Sequence, residues 1–135
     1  MLFYHVSAVK IYDHQQMDRF ITESESQYGF TDCQWISEVI IQSKVITLDC
    51  MTPDLGKRFI HLDEKKTILS ELDPALVNYP QLKTKFSQLT GINQFTMSLT
   101  LYQGKSVYCV TTATSEWLLN LNDYSILWKV DKNDD

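Results

Sequence analysis

The chain has 135 residues, 44% of them hydrophobic and 21% charged, with 17 acidic against 12 basic side chains and a formal charge of −5. That is the composition of one ordinary globular domain, long enough to bury roughly 65–70% of its unfolded surface without staples, and it excludes a disordered chain. It also argues against general nucleic-acid binding and an anionic membrane surface: only Arg19 and Arg58 among the basic residues are arginine, and phosphate recognition draws on clustered basic groups. No apolar run approaches the ~18–20 residues that cross a bilayer.

Residues 2–12 read as a strand. Asp13 with Gln16 forms a capping-box pattern, in which each side chain satisfies an orphan backbone amide of the other. Met17, Phe20, Ile21, Ser24 and Tyr28 follow at helical spacing, and Gly29 supplies the stop. Residues 35–50 are dominated by β-branched side chains and divide at Gln42-Ser43-Lys44 into two strands, although Thr31 with Gln34 is also compatible with a short capped helix. Thr52-Pro53-Asp54-Leu55-Gly56 is a turn, and Arg58 to Leu62 a third strand.

Asp63 is placed to cap a helix over 64–72, and Asp73-Pro74 to open a further turn. Pro80 opens a helix with Leu82, Phe86 and Leu89 on its apolar stripe, closed by Gly91. Phe95, Met97, Leu99 and Leu101 alternate with polar residues, the pattern of a half-buried strand. Gln103-Gly104-Lys105 turns it into 106–112, and residues 117–121 and 124–130 flank Asn122-Asp123 as a last hairpin, although 115–121 is also compatible with a helix. Residues 131–135 form a polar tail. No sequence repeat is visible. The fold expected is α+β: a single domain, 1–135, with a mostly antiparallel sheet of about six to eight strands and two to four helices packed on it.

Cys33, Cys50 and Cys109 are odd in number and widely spaced, which reads as buried thiols in a reducing compartment. Residues 1–6 lack the basic start and cleavage site of a signal peptide. The expected location is therefore cytoplasmic.

No phosphate-cradling glycine loop, HExxH, GxSxG or zinc-spaced cysteine pair occurs, and no cofactor is expected. Asp54 with Asp63-x-Lys65 resembles the PD-(D/E)xK nucleases, in which carboxylates hold a divalent ion and the lysine stabilises charge. His61 lies two residues from Asp63, on the same strand face, and that pair is a candidate for hydrolytic acid–base chemistry. The element order resembles that of the small acidic chaperones of bacterial type III secretion, apart from the extra leading strand, and implies a chaperone-like role.

Three functions follow. The first is a non-catalytic acidic domain that neutralises or chaperones a more basic protein, as an immunity protein or inhibitor does. Its contacts are expected at Asp18, Glu23 and Glu25 of the first helix and at Glu116, Trp117, Asp123 and Tyr124 of the last hairpin, with exposed aromatics as anchors. The second is a small hydrolase or metal-dependent nuclease using His61, Asp63 and Asp54. The third is a self-associating structural or regulatory subunit, a homodimer.

Overall fold

The computed structural model describes residues 13–132; the strand expected over residues 2–12 lies outside them, as does the end of the tail. The elements run α1 (His14–Tyr28), β1 (Thr31–Ile40), β2 (Lys44–Thr52), β3 (Gly56–Leu62) and β4 (Ile68–Leu72). A 3-10 turn (Pro74–Leu76) leads to α2 (Tyr79–Thr90), then β5 (Thr96–Tyr102), β6 (Lys105–Thr111), β7 (Ser115–Asn120) and β8 (Ile126–Asp131). The strands form two antiparallel sheets, ordered β1-β2-β3-β4 and β5-β6-β7-β8. The α+β class holds, but the expected single sheet is two sheets of four, with two α-helices among the described residues. Each half is a helix followed by a four-stranded meander, a repeat of architecture with no counterpart in the sequence.

α1 begins as the capping box requires: Gln16 N–H donates to Asp13 Oδ1 at 2.8 Å, and Asp13 N–H to Gln16 Oε1 at 3.1 Å. It ends at Gly29, whose φ of 72° is the left-handed conformation favoured by glycine. Phe20 from its apolar stripe, with Phe30 just beyond, covers the sheet face made by Ile46, Leu48, Cys50, Ile60 and Leu62. Residues 31–40 are strand throughout, so the short helix allowed by Thr31 and Gln34 does not form. The β1–β2 register shifts near residues 31–34, where Asp32 adopts φ 52°.

The expected helix over 64–72 is replaced by a turn and a strand. Asp63 does cap, accepting from the amides of Lys65 and Thr67 at 2.9 Å, but what it closes is a tight loop. Lys66 takes φ 66°, which interrupts a right-handed helix; along β4 a register shift then places Ile68 against the α1-side cluster and Leu72 against the cluster shared with the second sheet.

α2 is capped by Asn78, which accepts from Gln81 N–H at 3.0 Å. Its Leu82 and Phe86 are fully buried against Tyr108, Val110, Trp117 and Leu119 of the second sheet and Phe59 and Leu72 of the first, so this cluster unites the halves. Leu89, expected on the same stripe, faces solvent.

Candidate functional site

The residues expected to do chemistry are separated or enclosed. Asp54 and Asp63 flank opposite ends of the seven-residue β3, roughly 20 Å apart at about 3.3 Å per residue, too far to share one ion. The described residues contain no group of three or more His, Cys, Asp and Glu able to hold a metal. His61 has 0% exposure. Its ring is not directed to Asp63: Nδ1 is 2.8 Å from Thr47 Oγ1, and Nε2 is 2.8 Å from Ser106 Oγ on the other sheet. Burial lowers its pKa to about 4, keeping the imidazole neutral near pH 7. A base must reach substrate, and this ring reaches only two hydroxyls.

Ser37, Thr47, His61 and Ser70 stand directly opposite one another across β1–β4, a polar row on the face turned toward the second sheet. Ser37 completes the junction by donating to the Leu99 carbonyl of β5.

The expected aromatic anchors are core. Trp117 and Tyr124 are each 9% exposed and Glu116 only 2%. Trp117 lies edge-on to Phe86 at 5.2 Å, and Tyr124 stacks on Tyr108 at 5.8 Å. In an α+β domain of this size such large rings are the main source of buried area, and α2 supplies the surface that covers them. Asp123 alone of that group is exposed; the backbone amide and hydroxyl of Ser125 lower its pKa.

On α1, Asp18 is exposed, and Glu23 is exposed with a 3.0 Å ion pair to Lys66. Glu25 is turned inward, accepting from Cys33 N–H at 3.1 Å, and so fixes the irregular start of β1. Neighbouring β2 carries a feature that the cysteine spacing does not announce: Cys33 and Cys50 form a disulfide. The expectation of three thiols is corrected, and with it the cysteine argument for a cytoplasmic location. Only Cys109 is a free thiol, buried, with its pKa raised to about 12 by that burial.

Two further surfaces bear on binding. A cleft of about 200 Å³ lies where the β1–β2 and β5–β6 turns meet, walled by Val39, Ile41, Val45, Leu69 and Leu101 with Tyr102 as its one titratable lining group. The second is the outer surface of residues 13–54. This stretch carries eight carboxylates against Arg19 and Lys44 alone, and Lys44 is paired with Glu38 at 3.3 Å and Glu64 at 3.4 Å. Glu38 is fully buried, and Glu23 and Asp49 pair with Lys66 and Lys57, so the exposed acidic excess of this stretch rests on Asp13, Asp18, Asp32 and Asp54. No protein family, curated protein or solved structure was found to match the chain.

Proposed function

We propose that the protein is a non-catalytic binding domain that engages a more basic protein through the acidic surface of α1, β1 and β2. The observation that carries this reading is the segregation of charge: eight acidic against two basic side chains over 13–54, six basic against four acidic over 57–85. Such a field accelerates encounter with a cationic partner and disfavours an anionic one. The enclosure of His61 and the near absence of titratable groups from the cleft add weight, since a binding surface requires neither. An interface of this kind buries about 1,200–2,000 Å².

The test is affinity capture from the native host at physiological salt, followed by measurement of the recovered complex. A basic protein bound in stoichiometric amount, released as salt rises and bound more slowly by the Asp18→Lys, Glu23→Lys double variant, is the expected result. Recovery of nothing but further copies of the same chain overturns it.

A further inference from the structure

The acidic half of the molecule carries an exposed apolar tip at the turn between β2 and β3. Leu55 is 60% exposed and Met51 43%, and Pro53 lies exposed between them. Exposed side chains of this size are ordinary when scattered, but here they cluster within five residues on a held scaffold.

Thr52 Oγ1 donates to the Gly56 carbonyl at 2.8 Å and accepts from Leu55 N–H at 3.2 Å, closing the turn from within. Gly29 lies against Pro53, so that a Cβ there would stand 3.6 Å from the proline ring, and the C-terminal end of α1 abuts the tip. The Cys33–Cys50 disulfide lies one residue from both Asp32 and Met51 and ties their strands together. Asp32 and Asp54 are exposed beside the apolar residues. Lys57, directly opposite Met51 on β3, has its charge paired with Asp49 at 3.5 Å.

We infer that this tip is the contact surface for the basic partner, with Leu55 and Met51 as apolar anchors and Asp32 and Asp54 as its acidic rim. The inference rests on the proposed function and gives it a location. The occupant is a protein segment carrying lysine or arginine beside apolar side chains, since apolar anchors flanked by exposed carboxylates are met by the complementary pattern. The turn is ordered before binding, so little conformational entropy is lost on docking. Ile126 and Leu127, an exposed apolar pair on the edge strand β8, lie outside the acidic half.

The experiment uses the full chain and two synthetic peptides, one alternating lysine with leucine and one with serine in place of each leucine. Binding is followed by amide chemical shifts and titration. The lysine–leucine peptide should perturb residues 31–33 and 51–57. The Met51→Ser, Leu55→Ser double variant should bind it about tenfold more weakly or worse, with an unchanged melting temperature because both side chains are exposed. The Ile126→Ser, Leu127→Ser variant should bind as the wild type does. Perturbations that map to β8, or undiminished binding by the Met51, Leu55 variant, overturn the assignment. Equal binding of both peptides, abolished by salt, also overturns it while leaving the basic-partner reading standing. Failure of both peptides to bind removes the two together.

Discussion

His61 on β3 and Ser106 on β6 meet at 2.8 Å, a side-chain hydrogen bond that joins the first sheet to the second. Thr47 occupies the other ring nitrogen, so both polar atoms of a fully enclosed imidazole are satisfied. A buried donor or acceptor stripped of its partner costs more than an average hydrogen bond contributes. Ser106→Ala should therefore lower the unfolding free energy by about 1–3 kcal/mol, measured by urea denaturation. A loss within experimental error would show that this hydrogen bond adds nothing to the contact between the sheets.

The same imidazole sets a pH dependence. Its folded pKa of about 4 lies below the ordinary 6.5, because burial penalises the charged form. Between these values the unfolded chain binds the proton and the folded chain does not, so stability is full above about pH 6.5 and declines toward pH 4. The slope approaches ~1.4 kcal/mol per pH unit, for a total of roughly 3 kcal/mol. Glu38 acts in the opposite sense: burial raises its pKa despite the opposing influence of Lys44, so acid favours the folded state at that position. Comparing wild type with His61→Gln isolates the histidine. The variant should show a flatter stability profile between pH 4 and 6.5, and an unchanged slope would mean that the imidazole titrates normally.

The disulfide predicts a thiol count. Without reductant, the denatured chain should take up one equivalent of iodoacetamide, at Cys109, and three after reduction. The native chain should take up none, since Cys109 is buried and its thiolate disfavoured. Closing a loop with a separation of 17 residues restricts the unfolded ensemble, so Cys33→Ser with Cys50→Ser should cost about 2–4 kcal/mol. Three reactive thiols in the denatured, unreduced chain would restore the reducing-compartment reading.

Much of the fold is written in local signals. The Asp13–Gln16 box, the glycine stops at 29 and 91, and the alternation around Leu99 and Leu101 each specify an element through nearby residues, and each element forms. Residues 64–72 misled because Asp63 is a cap in both outcomes; the strand is chosen by pairing with β3, a tertiary interaction invisible in a short window. The division into two sheets was hidden for the same reason, since every strand pairs with its chain neighbour whether the sheets are one or two. At the candidate site, Asp18 and Glu23 of α1 were legible as exposed charges, whereas Glu25 turns inward to the irregular start of β1. The burial of Trp117 and Tyr124 was not, because it depends on where α2 packs. The disulfide was equally hidden, because a separation of 17 residues matches no signature and becomes a contact only when β1 and β2 pair.

The burial of Trp117 leads to the last prediction, which separates packing from recognition on the C-terminal hairpin. Its indole contacts Phe86, itself 4.8 Å from Phe95, and Lys129 Nζ stands 4.8 Å from the indole ring centroid. Truncation would leave a cavity beneath α2 that the helix cannot fill without unseating Leu82, also fully buried. Trp117→Ala should cost about 3–5 kcal/mol, enough to consume much of the stability of a domain this size. Asp123→Lys, on the exposed turn of the same hairpin, should change stability far less, its effect confined to the turn hydrogen bond from Ser125 N–H. With the contact at the β2–β3 tip, neither change should speed dissociation of the lysine–leucine peptide, provided the Trp117 variant is measured where it remains folded. A faster off-rate for Trp117→Ala at unchanged melting temperature would reverse the assignment and make that ring an anchor.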